Sequence, residues 1–225
     1  MKRVLVFDVN ETLLDLSALD PHFERVFSDG AVRRLWFSQL LQSALVSIVT
    51  NSYSDFGTIG RASLDMVAER SGVQISSADR DVLLGTVRSL PPHREVAGAL
   101  DRLRSAGFRL ASLTNSTEAV ATAQLSNAGL ADRFERILSA DGVRRLKPAP
   151  EPYQMAAREL GVPVSEVRLI AAHSWDVAGA LAAGCAAAFV ARPGMVLDPL
   201  VPAPDVVGRD LAEVAERIIE VDEPG

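Results

Sequence analysis

The chain has 225 residues, 48% apolar and 23% charged, which excludes a disordered chain and fits one domain carrying a substantial insertion. Lys plus Arg number 23 against 29 Asp plus Glu, a net charge of −6. That acidic balance argues against nucleic acid or an anionic membrane as the main partner, yet it leaves room for a small anionic substrate in a locally positive pocket.

Val4 to Phe7 is a short continuous apolar run that ends in Asp8. Such a run suits a strand buried on both faces of a parallel sheet. It is too short for the apolar stretch of a signal peptide. The next residues, 16 to 90, carry no strong strand signal. Arg33 to Val49, Ile59 to Arg70 and Ala78 to Arg88 have helical periodicity, and Leu90-Pro91-Pro92 closes the stretch with a stiff break. The pattern predicts a helical cap over residues 16–90, inserted after the first strand.

From residue 93 onward, helix and strand patterns alternate. Glu95 to Ala106, Glu118 to Ala128, Pro150 to Leu160, Asp176 to Ala183 and Asp210 to Ile219 read as helices. Phe108 to Leu113, Arg136 to Ser139, Val167 to Ala172, Ala186 to Ala191 and Asp205 to Val207 read as strands. The alternation predicts an α/β fold, a doubly wound, Rossmann-like parallel sheet built from residues 1–15 and 91–225. The polar tail Glu220 to Gly225 reads as frayed. The longest uncharged run, Val177 to Ala191, is shorter than the roughly 20 residues of a membrane span. The single cysteine, Cys185, forms no intrachain disulfide and reads as a buried, inert thiol. Together these features predict a cytoplasmic protein with no membrane partner.

Polar residues stand where the apolar runs stop. Asp8 ends the first, at the edge where open α/β sheets bind their ligands. Taken alone it could cap the turn at Asn10-Glu11-Thr12. Thr114-Asn115-Ser116 ends another run and could equally start the next helix. Lys147 precedes a helix and, alone, reads as a solvated lysine. Asp176 follows His173-Ser174-Trp175 and could be a helix cap. The joint pattern at successive strand ends is more specific than any one of the four.

That pattern resembles the haloacid dehalogenase superfamily, with Asp8 and Thr12 as the first motif, then Thr114, Lys147 and Asp176. Phosphatases of the superfamily carry a second aspartate two residues after the first. Here the position is Asn10, and an amide is no general acid. The segment around Asp176 also offers one carboxylate, whereas Mg²⁺ takes several oxygen ligands. The closer resemblance is to (S)-2-haloacid dehalogenases. It is carried by Phe7-Asp8-Val9-Asn10-Glu11-Thr12-Leu13, Tyr53-Ser54-Asp55-Phe56, Leu113-Thr114-Asn115-Ser116, Lys147-Pro148-Ala149-Pro150-Glu151-Pro152-Tyr153 and Ser174-Trp175-Asp176.

The resemblance implies a hydrolase that converts 2-haloacids to 2-hydroxy acids through an ester on Asp8. It implies that Lys147 and Thr114 order Asp8 and the substrate carboxylate, that Asn115 donates to the departing halide, and that Asp176 positions water. Tyr153 would support the lysine or the carboxylate. Asn10, Phe37, Ser174 and Trp175 would complete the substrate pocket. No metal or organic cofactor is implied, and a homodimer is. A Mg²⁺-dependent phosphatase and a catalytically weak binding protein of the same fold are the alternatives.

Four positions differ from the pattern. Phe37 follows Trp36 where the family has a halide-binding arginine, and a phenyl ring is no anion donor. Arg33 and Arg34 are candidate substitutes; otherwise they are solvated helix charges. Asn10 replaces a tyrosine, and Ala171 a serine. His173 replaces an asparagine, either as a structural histidine or as a base that activates water. Trp36 itself reads as cap core, and His22 and His93 as loop or cap residues.

Overall fold

Four apolar residues with no polar side to turn to water demand cover on both faces, and β1 (Val4–Phe7) receives it. In this computed structural model, which describes residues 2–222, β1 lies at the centre of a six-stranded sheet. Its companions are β2 (Leu110–Thr114), β3 (Arg136–Ser139), β4 (Val167–Ala171), β5 (Ala186–Val190) and β6 (Val206–Gly208). The order is β3-β2-β1-β4-β5-β6 and every pairing is parallel, as the alternation predicts. This is the doubly wound order, in which the chain reverses direction across the sheet beside the first strand.

Between β1 and the next strand lie α1 (Asp20–Phe27), α2 (Val32–Val49), α3 (Phe56–Arg70), α4 (Ser77–Thr86) and α5 (Val96–Ser105). The remaining helices are α6 (Glu118–Asn127), α7 (Pro150–Leu160), α8 (Ser174–Ala182) and α9 (Leu211–Asp222). The strand period of two sends alternate β1 side chains to opposite cores. Leu5 and Phe7 join Leu100 and Leu103 of α5 and Val214 and Ile218 of α9. Val4 and Val6 join Ala156 and Leu160 of α7 and Val177 and Ala180 of α8.

Helices α1 to α4 share the first of these cores, through Phe23, Trp36, Leu64 and Leu83. The chain leaves and re-enters the sheet body side by side. Asp15 N donates to Pro91 O at 2.8 Å and His93 N to Leu13 O at 3.0 Å, with Leu14 bridged to Pro92. Trp36 is buried between α1, α2 and α3, its Nε1 donating to Gly60 O at 2.9 Å.

Helix α1 is not foreseen from periodicity. It starts on Asp20-Pro21, a favoured opening, and Phe23 and Phe27 stack one turn apart at 5.7 Å. Helix α3 begins three residues before the expected Ile59 because the Asp55 side chain caps Thr58 N. The predicted fraying from Glu220 is corrected for residues 220–222, which belong to α9; residues 223–225 lie outside the described residues. Asp222 is buried because it pairs with Arg168, which β4 carries fully into the interior, at 2.8 Å, and with Arg3 at 2.6 Å. Among the described residues no helix is long and apolar enough to cross a membrane. Cys185 is buried, and burial pushes its thiol up to about 12.

Candidate active site

The carboxyl ends of β1, β2 and β4 bring Asp8, Thr114 and His173 together. Asp8 is held from the backbone by its N–H, which donates to Ile170 O at 3.0 Å. Its Oδ1 accepts from Lys147 Nζ at 3.0 Å and its Oδ2 from Thr12 Oγ1 at 2.7 Å. Thr12 is fixed in turn, its Oγ1 accepting from Ala172 N at 2.9 Å and its carbonyl from Arg192 at 2.8 Å. Burial opposes the charge on Asp8, but Lys147, His173 and Thr12 outweigh it and hold the carboxyl well below the usual range.

Lys147 is buried rather than solvated. All three of its N–H bonds are committed, to Asp8, to Asp176 Oδ2 at 2.6 Å and to Leu113 O at 2.9 Å. It therefore orders Asp8 but has no proton left for a substrate carboxylate. Burial would lower the affinity of its ammonium for the proton; Asp176 and Asp8 more than compensate and raise it. The Asn115 amide brackets the lysine backbone, accepting from Lys147 N at 2.7 Å and donating to Lys147 O at 3.2 Å. The Lys147–Pro148 peptide is cis.

Asp176 is fully buried and serves as no helix cap. Its Oδ1 accepts from Tyr153 OH at 2.6 Å. Burial and the neighbouring Asp8 push its carboxyl up, against the pull of Lys147. The Tyr153 phenol, pushed up by burial and by Asp176, stays protonated and donates. The Thr114 hydroxyl accepts from Ser116 N at 3.2 Å, so it also shapes the turn.

Helix α8 reaches this lysine because Gly179 lies against Pro148 and Tyr153. A Cβ at Gly179 would fall 2.5 Å from Pro148 Cβ and 2.7 Å from Pro148 O. Gly179→Ala is expected to destabilise the fold by about 1–3 kcal/mol, as overpacked cores do, and urea denaturation measures it.

His173 is not a solvated or merely packed ring. Its Nε2 donates to Glu11 Oε2 at 2.8 Å. Its Nδ1 lies 3.4 Å from Asp8 Oδ2, within ion-pair range but without hydrogen-bond geometry. The ring sits between Trp175, stacked at 5.3 Å, and Phe37, at 5.8 Å. Burial disfavours its charge, but Asp8 and Glu11 prevail and raise it to about 9. Phe37 therefore offers no donor; it covers one side of the imidazole.

Glu11 and Gln124 are the members that sequence reasoning left without a role. Glu11 stands in a tight turn at φ 60°, and on its other side meets Arg33 Nη1 at 3.4 Å. Arg33 is buried and also pairs with Asp20, so the reading of it as a solvated charge is corrected; Arg34 is exposed. Gln124 Nε2 donates to Asn10 Oδ1 at 2.8 Å and to Val87 O at 2.9 Å. Ser174 turns to the backbone, its Oγ accepting from Asp198 N at 2.8 Å.

Directly over Asp8 is a chamber of about 10 Å³, room for about one water. Asn10, Phe37, Phe56, Asn115, His173 and Trp175 are among its walls. Asn10, Phe37 and Phe56 also line a larger cavity of about 350 Å³ between helices α2 to α4 and α6, with Arg61 and Arg88 on its wall. Among the described residues no three His, Cys, Asp or Glu side chains are arranged to hold a metal ion. The two buried carboxylates instead share one ammonium.

A family model described as haloacid dehalogenase-like hydrolase matches residues 2–184. The chain is 27% identical over 214 residues to an (S)-2-haloacid dehalogenase of Pseudomonas sp. (strain YL), covering 94% of this chain and 92% of that one. A structure of L-2-haloacid dehalogenase from Xanthobacter autotrophicus superposes with a TM-score of 0.91 at 25% identity, covering 99% of this chain and 100% of that one. The structure of that dehalogenase with chloropropionic acid covalently bound has the same fold, with a TM-score of 0.91 at 24% identity and the same coverage.

Proposed function

The chain belongs to the haloacid dehalogenase-like hydrolase family, and we propose that it hydrolyses 2-haloalkanoates to 2-hydroxy acids through an ester on Asp8. The observation that carries this reading is the Asp8 carboxylate, held ionised by Lys147 and Thr12 at the end of β1 and facing a chamber closed by aromatic side chains. A desolvated carboxylate is a stronger nucleophile than a hydrated one.

An Asp8 oxygen attacks the halogen-bearing carbon from the side opposite the halogen. A C–O bond forms as the C–X bond breaks, and the halide leaves with the electron pair. Water then adds to the Asp8 carboxyl carbon, and the tetrahedral intermediate collapses. This frees the 2-hydroxy acid with inverted configuration and restores Asp8, with one proton and one halide released per turnover. Thr12 and Lys147 hold Asp8 throughout. Tyr153 and Asp176 hold the lysine, and Thr114 and Asn115 shape the turn beside it. Asn10 and Phe37, with Trp175, form walls of the pocket. Ser174 anchors the segment behind α8 rather than substrate.

The phosphatase alternative is less favoured. Asn10 is tied to Gln124, and each oxygen of Asp176 already accepts from Lys147 or Tyr153. In this reading residues 16–90 are a cap over a core of residues 1–15 and 91–225, and substrate is enclosed between them. A cytoplasmic location is supported by the lone buried thiol, which makes no demand for an oxidising compartment. A homodimer is supported by the exposed Leu35, Val46 and Val49 of α2, an apolar face suited to a second copy.

Halide release from 2-chloropropionate in EDTA, followed with an ion-selective electrode, is the test. Activity is expected to be unchanged by the chelator, and no phosphate is expected from phosphomonoesters with Mg²⁺. Loss of all activity on chelation would overturn the reading.

A further inference from the structure

The chamber over Asp8 seats about one water, which is room for a halogen but not for an acid with a side chain. The rest of a larger substrate needs a second space, and one adjoins. The cavity of about 350 Å³ shares Asn10, Phe37 and Phe56 with the chamber and falls in the size range of ligand pockets. Asn10 stands at this junction with a fixed polarity. Gln124 Nε2 engages its Oδ1 at 2.8 Å, and its Nδ2 makes no hydrogen bond among the described residues. A donor is therefore left where substrate would pass from one space to the other.

The walls of the cavity are of two kinds. Leu16, Trp36, Leu40, Leu84, Val87 and Val120 make an apolar lining. Three charged residues stand on it as well, Asp55, Arg61 and Arg88. The Asp55 carboxylate is taken up at the start of α3, accepting from Thr58 N at 3.0 Å and from Thr58 Oγ1 at 2.6 Å. Arg61 meets Asp81 at 3.4 Å, a loose and exposed pair. The Arg88 guanidinium has neither a hydrogen bond nor an ion pair among the described residues.

We propose that this cavity is the subsite for the 2-substituent, that Arg88 with Arg61 forms its specificity-determining end, and that the preferred substrates are 2-halodicarboxylic acids, whose second carboxylate reaches the two arginines. This rests on the dehalogenase reading above and names the substrate class within it.

The fit follows from the chemistry of each part. With the halogen-bearing carbon over Asp8, the 2-substituent leaves the chamber past Asn10, Phe37 and Phe56. Its methylene groups bury against the apolar lining. A plain alkyl chain of the same length would end beside guanidinium groups and gain nothing from them. A carboxylate at that end makes charge-assisted hydrogen bonds, and a planar guanidinium takes it by two at once. Arg88 carries the larger share, because Arg61 already has Asp81 beside it.

The test compares acids of equal chain length that differ at the far end: 2-bromoadipate against 2-bromohexanoate, and 2-bromosuberate against 2-bromooctanoate. The wild-type protein is expected to favour the diacid of at least one pair by about 5- to 10-fold in kcat/KM, as a partly exposed charge contact allows. Arg88→Met, checked for folding by thermal unfolding, is expected to abolish that preference. Arg61→Met is expected to reduce it less, and Arg88→Lys to restore part of it. Val120→Trp fills the cavity, so kcat/KM for both six-carbon acids is expected to fall about 10-fold relative to 2-bromopropionate.

Equal kcat/KM within both pairs, or a preference that folded Arg88→Met retains, would overturn the role of the arginines. An unchanged ratio to 2-bromopropionate in folded Val120→Trp would overturn the subsite. A wild-type protein that forms no ester with any 2-haloacid would instead defeat the dehalogenase reading. The subsite is then read without turnover, by calorimetric binding of adipate and hexanoate to the full chain. Adipate is expected to bind more tightly, and equal affinity overturns the subsite.

Discussion

Asp8→Ala is expected to reduce halide release from 2-haloacids by at least about 10⁴-fold, the scale on which nucleophile removal acts in enzymes with covalent intermediates. The residue is 5% exposed and has no neighbour able to replace it. The nearest carboxylate, Asp176, has both oxygens engaged, by Lys147 at 2.6 Å and by Tyr153 at 2.6 Å, and is the acid that burial holds up. Asp8→Asn is expected to be equally inactive, because an amide keeps the shape but not the charge. The fold is expected to survive both changes, since Lys147 keeps Asp176 as its partner. Single-turnover halide release and intact mass after incubation with 2-chloropropionate measure the effect. The wild-type protein is expected to show a transient adduct and both variants none. His173 provides a second signature. Without Asp8 it keeps only Glu11 as counter-charge, so its proton is expected to leave below the value of about 9.

Lys147→Met is the second large effect, and it acts on activity and stability together. The ammonium is fully buried, 3.0 Å from Asp8 and 2.6 Å from Asp176. Methionine fills much of the same volume but leaves the two buried carboxylates with no cation between them, His173 lying beside Asp8 alone. Two such groups cannot both stay ionised, so one takes up a proton. Removing one partner of a buried ionic cluster typically costs about 3–5 kcal/mol. The loss of activity is expected to be about 10³-fold, because the nucleophile is partly protonated and no longer aimed.

The sign of the pH dependence follows. In the wild-type protein the carboxyl of Asp8 lies below its ordinary value, so its contribution to stability is present above that value and is lost as pH falls. In Lys147→Met the shared proton must leave first, so the remaining activity is expected to rise with pH where the wild-type rate is flat. Urea denaturation together with a pH–rate profile measures both. Lys147→Arg is expected to recover little, because a planar guanidinium does not fit among three acceptors arranged around a point charge.

Much of the frame was legible from residue order. A strand covered on both faces is apolar at most positions, so Val4–Phe7 and Ala186–Val190 declare themselves over a few residues. Asp8 stands out for the same reason, as an acid directly after such a run. The helix-period stretch of residues 33–88 and the Pro91-Pro92 break mark the inserted helices from residue order alone. Helix α1 was missed because its eight residues are too few to show a period and its signals are local, an opening proline and a Phe23–Phe27 stack.

The division between sequence and tertiary structure runs through the site itself. Sequence determined which residues end the strands, because secondary structure and burial are written in near-neighbour patterns. It also determined that Phe37 is no anion donor, because that is a property of the side chain alone. Only the tertiary structure decided which charges meet. Arg33 and Glu11 are 22 positions apart, Glu11 and His173 162, and Lys147 and Asp8 139. At such separations, charge type says nothing about partners until the sheet order and the packing of α1 to α4 fix the distances. Burial then makes each pairing matter, because a charge removed from water must be answered by another within a few ångströms. For that reason Lys147 and Arg33, each open to a reading as a solvated cation, proved to be interior residues that organise the carboxylates.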